Sequence, residues 1–236
     1  QYCIGIPKVF LKFPLPESPL FDVDLTHRFA NDLFFGGDYY DIFNLGNEEY
    51  LFMLGDVAGH GLKASFLTAI LKAIIFSEYI KNNDLISPAL FLEWLNKRFF
   101  AVLRNTPDLF IAFSACLFKA KDKKIIFANA GQPPFIICSN GIISKHSNPE
   151  IAIGADADVV YSETEVFVNS GDLILMCTDG LYPAGKIDAS VGMEEFEHLI
   201  ESNCKSPDFN RILMDVVNEK GRLSEDDSTL MSIRVK

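Results

Sequence analysis

The sequence predicts an α+β fold with antiparallel sheets. Three observations lead to this prediction. Stretches of alternating hydrophobicity occupy both ends of the chain, helical periods are grouped in blocks, and Gly, Pro, Asn or Ser residues separate neighbouring strands. Strand and helix blocks that are segregated along a chain are typical of α+β folds. The 236 residues suit one domain of generous size, and a hydrophobic fraction of 49 % allows a large core.

The first half of the chain contains a proline-rich entry, three strands and two helices. Residues 1–20 read as an extended lead-in, and residues 21–236 as the folded domain. A strand is predicted over 21–30, followed by a hairpin of strands 39–45 and 50–55 around a turn at Gly46-Asn47. Helical periodicity predicts a mostly buried helix over 62–79. A second helix begins at Ser87-Pro88 and runs to about Arg104.

The second half returns to strands and ends in a mixed block. Strands over 110–119, 124–129 and 134–138 are expected to form a meander. Two more strands, 159–168 and 172–177, are joined by a turn at Ser170-Gly171. Helices over 193–203 and 207–220 precede a closing strand over 228–235.

Composition excludes some classes of function and favours others. The formal net charge of −11 argues against a nucleic-acid partner, since phosphate backbones demand clustered Lys and Arg. The five Cys are odd in number and show no CxxC spacing, which indicates free thiols and a reducing, cytoplasmic location. The most apolar stretch, 62–76, is interrupted by Lys63 and Lys72 and is too short to span a bilayer. Because the chain begins with Gln1, we expect it to be part of a longer protein.

Four short phrases place an Asp at a strand end or in a turn. They are Gly36-Gly37-Asp38, Gly55-Asp56-Val57, Thr178-Asp179-Gly180 and Asp226-Asp227-Ser228. If these carboxylates converge, their mutual repulsion would raise their pKa values, and a divalent cation would remove that cost. Oxygen ligands select hard ions such as Mg²⁺ or Mn²⁺. Two such ions can bind a phosphoryl oxygen and activate a water. Asp beside Gly is also common in ordinary turns, and the sequence leaves this alternative open.

The order and wording of the phrases resemble the PPM-type (type 2C) serine/threonine phosphatases, most of all the bacterial branch typified by the stage II sporulation protein E. The matching strings run in the family's order through nearly the whole chain. They are Gly36-Gly37-Asp38-Tyr39-Tyr40-Asp41, Gly55-Asp56-Val57-Ala58-Gly59-His60-Gly61, Asn129-Ala130-Gly131-Gln132-Pro133-Pro134, Thr178-Asp179-Gly180 and Asp226-Asp227-Ser228-Thr229.

The resemblance implies a fold of two packed antiparallel β-sheets flanked by helices, an α-β-β-α sandwich. It implies that Asp56 bridges two cations, Mn²⁺ or Mg²⁺, and that Asp38 and the Val57 carbonyl serve one of them. Asp179 and Asp226 would serve the other ion. The catalytic group would then comprise Asp56, Asp38 and Asp179, with a metal-activated water as the nucleophile.

The same resemblance implies the partners. The substrate would be a phosphoserine or phosphothreonine protein, such as an anti-sigma-factor antagonist. A regulatory or sensor domain would precede the phosphatase domain, the parent protein could be membrane-anchored, and a homodimer is possible.

Further residues are weighed as supporting groups. Asp41 and Asp227 are candidates for outer-shell support. His60 could act as a general acid, although a loop His beside two glycines is the simpler interpretation. Asn129 and Gln132 could orient water or phosphate, or Asn129 could simply stabilise the turn after a strand. The family often has His at the position of Gln132.

Two other functions compete with the phosphatase hypothesis. The phrase Gly36-Gly37-Asp38 on a hairpin is also similar to that of diguanylate cyclases, but there Glu-Phe normally follows where this chain has Tyr39-Tyr40. The cyclase hypothesis leaves the phrases around Asp179 and Asp226 unexplained. A catalytically silent binding module of the same fold is the third possibility, and the presence of all four metal-ligand Asp counts against it.

Overall fold

The computed structural model describes residues 14–30, 36–59, 61–79, 87–103, 109–148, 150–183, 192–219 and 226–236. These residues form two compact units. Unit 1 takes its described residues from 1–14, 33–132 and 148–167, and unit 2 from 15–32, 133–147 and 168–236. The chain therefore passes between the units several times.

Ten strands and four helices occur in the described part of the chain. In chain order they are β1 (Phe21–Arg28), β2 (Asp38–Gly46), β3 (Glu49–Val57), α1 (Leu62–Tyr79), α2 (Pro88–Leu103), β4 (Ile111–Lys119), β5 (Lys124–Ala130), β6 (Phe135–Ser139), β7 (Ile142–His146), β8 (Thr164–Phe167), β9 (Leu173–Cys177), α3 (Met193–Asn203), α4 (Phe209–Glu219) and β10 (Ser228–Val235).

Unit 1 is a five-stranded antiparallel sheet with helices α1 and α2. Its strand order is β2-β3-β4-β5-β8. Helix α1 packs on β2 and β3, and α2 packs on β4 and β5. The turn between β2 and β3 has positive φ at both Asn47 and Glu48, the backbone of a type I′ hairpin turn, so it lies one residue beyond the predicted position.

Unit 2 is a second five-stranded antiparallel sheet with helices α3 and α4. Its strand order is β1-β10-β9-β6-β7, so the first and last strands of the chain are neighbours. They pair along their whole length, from Phe21 opposite Val235 to Arg28 opposite Ser228. Side chains from β6, β9 and β10 form one apolar core with α3 and α4, which includes Phe196, Phe209 and Leu213.

The predicted meander of three strands is wrong in its third member. β4 and β5 pair as expected, but β6 pairs with β9 and β7 in the other sheet. The physical reason lies in the connection. Gly131 adopts a positive φ of 85°, and Pro133 and Pro134 have no N–H groups to donate to a continued ladder.

Strand β7 was not predicted from the sequence. Asn140 and Gly141 connect β6 to β7 with φ values of 54° and 82°, again the backbone of a type I′ turn. An Asn-Gly pair between apolar residues is a strong hairpin signal. The missed strand was therefore detectable from the sequence.

The strand predicted over 159–168 is shorter than expected, because only Thr164–Phe167 pairs, with β5 of unit 1. The next strand, β9, belongs to unit 2, so the Ser170-Gly171 turn joins strands of different sheets. The predicted α+β class with two antiparallel sheets and helices is confirmed.

Candidate functional site

Asp38 and Asp56 form a carboxylate pair at one end of the unit 1 sheet. They lie directly opposite each other in the β2–β3 ladder, so their side chains share one face of the sheet. Asp38 is almost fully buried, with 1 % of its surface exposed. Two carboxylates at neighbouring positions with one of them buried repel each other strongly unless a proton or a cation neutralises them. The pair is therefore a candidate group of cation ligands.

Gly37 leaves room for the backbone of this pair. A Cβ atom at Gly37 would lie 2.7 Å from the Val57 carbonyl oxygen and 3.4 Å from Asp56 Oδ1. The Gly37 carbonyl accepts hydrogen bonds from the Val57 N–H at 3.2 Å and from Thr68 Oγ1 on α1 at 2.9 Å. Any side chain at Gly37 would thus crowd the Val57 carbonyl oxygen and Asp56 Oδ1, both of which are predicted to bind a cation.

Gly55, which precedes Asp56, has a packing role. Tyr39, Gly55 and Phe113 lie in one row across β2, β3 and β4, on the sheet face opposite to Asp56. The rings of Tyr39 and Phe113 stack with centroids 5.7 Å apart, and a Cβ at Gly55 would lie 2.7 Å from the Phe113 ring. This glycine makes room for aromatic rings under the helices.

Asp41 occupies the same face as Tyr39, because it lies three residues after Asp38 on a strand. Its carboxylate pairs with Lys72 Nζ of α1 at 3.0 Å and accepts a hydrogen bond from the Tyr39 hydroxyl at 3.3 Å. Asp41 thus ties β2 to α1. Burial, followed by the charges of Asp38 and Asp41, raises the pKa of Tyr40 to about 12, so this phenol stays neutral.

Asn129 and Gln132 close the turn that follows β5. The Gln132 N–H donates to Asn129 Oδ1 at 2.7 Å, and Asn129 Nδ2 donates to the Gln132 carbonyl at 2.9 Å. The Gln132 side chain also donates to the Ala112 carbonyl at 3.1 Å. Both atoms of the Asn129 amide are engaged in the turn, which agrees with the turn-stabilising alternative for this residue.

In unit 2 the loops that carry Asp179 and Asp226 are joined by two threonines. The Thr178 N–H donates to the Thr229 carbonyl at 3.1 Å, and the Thr229 N–H donates to Thr178 Oγ1 at 2.9 Å. Gly180 is in such close contact that a Cβ there would overlap the Asp227 carbonyl oxygen. The ends of β9 and β10 are thereby fixed side by side, with Asp179 and Asp226 on adjoining loops.

Asp227 acts within this framework. Its Oδ1 accepts a hydrogen bond from the Ala30 N–H at 2.9 Å, and its own N–H donates to Asp226 Oδ1 at 3.0 Å. The carboxylate of Asp227 is buried and holds the segment after β1, whereas Asp226 is partly exposed. The arrangement gives Asp227 a supporting place beside the predicted ligand Asp226.

The structure thus pairs Asp38 with Asp56, which Val57 follows, in unit 1. In unit 2 it places Asp179 and Asp226 on adjoining loops, with Asp227 hydrogen-bonded to Asp226. His60 lies outside the described residues. Across the described ranges, no group of three or more His, Cys, Asp or Glu side chains stands in metal-binding proximity. The donors in each unit are carboxylate and carbonyl oxygens, the set that Mg²⁺ and Mn²⁺ prefer, so the residues present fit such ions.

The sequence pattern did not indicate three residues that hydrogen-bond the backbone beside the predicted ligands: Thr68, Thr178 and Thr229. Each acts through a hydrogen bond to a distant backbone group, and such pairs leave no spacing pattern in a sequence. Thr178 and Thr229 lie inside the strings that suggested the site, which was the available signal.

None of the helices in the described ranges is long and apolar enough to cross a membrane.

One protein-family model matches most of the chain. A family model described as "Stage II sporulation protein E (SpoIIE)" matches residues 46–236. Protein IcfG of Synechocystis is 22 % identical over 260 aligned residues, which cover 97 % of this chain and 40 % of that protein. The chain therefore spans less than half the length of this curated relative.

Solved structures resemble the chain in fold. The SiaA-PP2C domain of Pseudomonas aeruginosa superposes with a TM-score of 0.78 at 20 % identity, covering 91 % of this chain and 86 % of that one. A structure of the PP2C phosphatase domain and a fragment of the regulatory domain of SpoIIE from Bacillus subtilis gives 0.77 at 18 % identity, covering 93 % and 64 %. RsbX, solved in complex with magnesium, gives 0.67 at 14 % identity, covering 94 % and 98 %.

Proposed function

Because the chain belongs to the stage II sporulation protein E family, we propose that it removes phosphate from phosphoserine or phosphothreonine of a protein partner in a metal-dependent reaction. The observation that carries this proposal is the in-register pair of Asp38 and Asp56, with the Val57 carbonyl beside it in a space that only glycine at position 37 leaves open. Carboxylate and carbonyl oxygens grouped in this way are the ligands that a hard divalent cation prefers.

The proposed cofactors are two divalent cations, Mn²⁺ or Mg²⁺, held by oxygen ligands. Asp56 would bridge both ions, Asp38 and the Val57 carbonyl would complete one set, and Asp179 and Asp226 would serve the other. The bound ions would supply Lewis-acid activation of water and would neutralise charge on the phosphoryl oxygens. The magnesium in the RsbX structure supports the choice of hard ions for the fold.

The chain's own residues would hold these oxygens rigidly. Thr68 and Gly37 fix the backbone at Val57. Thr178, Thr229 and Asp227 fix the loops of Asp179 and Asp226. Preorganised ligands of this kind lower the barrier because they need no rearrangement during the reaction.

A water nucleophile is consistent with the burial of the cysteine thiols in the described part of the chain. Cys116, Cys138, Cys177 and Cys204 are all buried, and burial raises the pKa of Cys116 to about 12. A thiol must reach its substrate to act as a nucleophile, and burial prevents this for these four.

The proposed partners are a phosphoprotein substrate and a regulatory region elsewhere in the full-length protein. The SpoIIE structure, which contains a fragment of its own regulatory domain, supports the second. Residues 21–236 would form the phosphatase domain and 1–20 its lead-in from that region, and a homodimer remains a further prediction. An anti-sigma-factor antagonist is the substrate class that we expect.

The test is hydrolysis of an aryl phosphate and of a phosphoserine peptide, each with and without Mn²⁺. We expect activity only with the metal, and a loss of at least 100-fold in Asp56→Asn and Asp179→Asn. Asp122→Asn is the matched control, because Asp122 lies in an exposed turn and should keep full activity. Metal-independent activity, or full activity in both site variants, would contradict the proposal. Turnover of GTP instead would favour the cyclase alternative.

A further inference from the structure

The start of β4 supports the predicted ligand end of β3. Ala112 lies directly opposite Asp56, and Ile111 lies opposite Val57. The next contact continues this pairing, because the Ala58 N–H donates to the Phe110 carbonyl at 2.9 Å. The position of Asp56 and Val57 therefore depends on how firmly residues 110–112 are held.

The neighbouring strand β5 does not hold this segment. The β4–β5 ladder ends at the pair Phe113 and Ala130, and the chain turns away at Gly131. Buried backbone groups beyond that point need other partners, since an unpaired buried carbonyl or N–H is costly. Ile111 and Ala112 find such partners in two separate places.

Ile153 and Gln132 replace the missing strand. Ile111 exchanges two backbone hydrogen bonds with Ile153, of 3.0 and 2.8 Å. The Ala112 carbonyl accepts a hydrogen bond from Gln132 Nε2 at 3.1 Å. Gln132 is 7 % exposed, and its backbone is fixed by the Asn129 side chain. The side chain of Gln132 thus extends the β4 ladder by one residue.

The segment around Ile153 is itself held by a buried amide of α2. Asn96, with 0 % of its surface exposed, accepts a hydrogen bond from the Gly154 N–H at 2.8 Å. Its Nδ2 atom donates to the Asp156 carbonyl at 2.7 Å. Asn96 therefore satisfies one group on either side of residue 155 and anchors the segment that pairs with Ile111.

We propose that Gln132 and Asn96 are positioning residues that set the cation affinity of Asp56 and Val57 by clamping residues 111–112 from the side opposite to β3. The inference rests on the proposed function, since it assumes that these oxygens bind a cation. Neither amide belongs to the predicted ligand set. Each acts through backbone atoms that stand between it and the ligands.

A clamp and a general contribution to stability have different effects on cation affinity. A mere structural role would lower the unfolding temperature without changing the cation affinity of the molecules that stay folded. A clamp would loosen the end of β3 in the folded protein. Partners that orient metal ligands from outside typically change metal affinity by 10–100-fold when they are removed.

The experiment measures Mn²⁺ affinity by calorimetry, and amide hydrogen exchange in the metal-free protein. Gln132→Met removes the donor at nearly constant volume, and Asn96→Leu does the same on α2. We expect both variants to bind Mn²⁺ about tenfold more weakly and to exchange faster over residues 56–58 and 111–112. Gln132→His, which keeps a ring N–H donor, should recover most of the affinity.

Ile125→Ala is the control for stability, because Ile125 is a fully buried residue at the far end of the β4–β5 ladder. It should lower the unfolding temperature and leave the Mn²⁺ affinity unchanged. The clamp proposal is overturned if the Mn²⁺ affinity of Gln132→Met is within twofold of that of wild type. It is also overturned if Ile125→Ala weakens Mn²⁺ binding as much as Gln132→Met does. Absence of Mn²⁺ binding by the wild-type protein would instead refute the proposed function, and hydrogen exchange would still decide whether Gln132 holds the end of β3.

Discussion

Asp38 on β2 lies directly opposite Asp56 on β3, and the first of these carboxylates is almost completely buried. Such a pair is unfavourable in an empty site and favourable around a cation. The same relationship therefore predicts both a cost in the metal-free protein and a gain in the metal-bound one.

Asp38→Asn should separate these two effects. Without cations the variant should unfold at the same temperature as wild type or higher, because one of two repelling charges is gone. With Mn²⁺ at 100 times the Kd of wild type, the free energy of unfolding of wild type should rise by about 2.7 kcal/mol. At the same Mn²⁺ concentration that of the variant should rise much less. Thermal unfolding with and without Mn²⁺ measures both, and an equal gain in the two proteins would contradict the role of Asp38.

Gly37→Ala should damage the site through the backbone. The new Cβ would lie 2.7 Å from the Val57 carbonyl oxygen, a contact that forces one of the two strands to shift. We expect a stability loss of about 1–3 kcal/mol and at least a tenfold loss of metal-dependent phosphatase activity. Circular dichroism would verify that the fold persists. Unchanged activity would show that the carbonyl position does not matter.

Lys72→Met should destabilise unit 1 by leaving the Asp41 carboxylate without its ion pair. The Asp41 side chain is 8 % exposed and that of Lys72 is 19 % exposed, so solvent replaces the lost charge poorly. The expected loss is about 2–3 kcal/mol in urea unfolding. A double-mutant cycle with Asp41→Asn should show coupling between the two residues. Simple additivity of the two losses would mean that the pair contributes nothing.

Gly180→Ala should cost much more stability than Gly192→Ala, although both replace a glycine of unit 2. At Gly180 the added methyl group would overlap the Asp227 carbonyl oxygen and lie 2.7 Å from Ser228 Oγ. At Gly192, before α3, φ is −69° and no atom lies within 4 Å of the new Cβ. We expect the first variant to lose at least 2 kcal/mol of the free energy of unfolding (an order-of-magnitude figure) and most activity. The second should lose less than about 1 kcal/mol, because Ala is a poorer helix N-cap than Gly but meets no close contact there. Equal losses in the two variants would refute the close contact at Gly180.

His27 should make the protein less stable in mild acid. Its Nδ1 lies 2.8 Å from Thr229 Oγ1, and burial lowers its pKa to about 4, from about 6.5 in an unfolded chain. Between these two values the unfolded chain binds the proton and the folded one does not. The contribution is therefore complete above pH 6.5 and is lost as the pH falls toward 4.

Between pH 7 and 4.5, the free energy of unfolding of His27→Gln should fall by about 2 kcal/mol less than that of wild type. Urea unfolding at the two pH values measures this difference. His198→Gln, at an exposed position of α3, controls for the loss of a histidine. A steep profile that persists in His27→Gln would assign the acid sensitivity to other groups.

Local patterns predicted the regular elements well. The helix predicted over 62–79 matches α1 to the residue, and the strand predicted over 228–235 matches β10. Both follow from rules that act within a few residues: apolar periodicity, and glycines that end a strand or precede a helix. The order of the Asp phrases was likewise readable, because each phrase is local.

Pairing between distant segments was not readable in the same way. The sequence placed β6 beside β5, whereas the structure pairs it with β9, because strand partners are chosen by packing over the whole chain. The partners of Gln132, Asn96 and Thr68 are backbone groups, which every residue carries and which leave no signature.

The amino-acid sequence was enough to identify which residues could offer a carboxylate to a cation, and at which strand ends they lie. The tertiary structure alone decided that Asp38 faces Asp56, that Asp41 turns away toward Lys72, and that Thr178 joins the loop of Asp179 to that of Asp226. The reason is physical: the identity of a side chain is local, but its neighbours are fixed by strand register and by the hydrogen bonds that buried backbone groups must find.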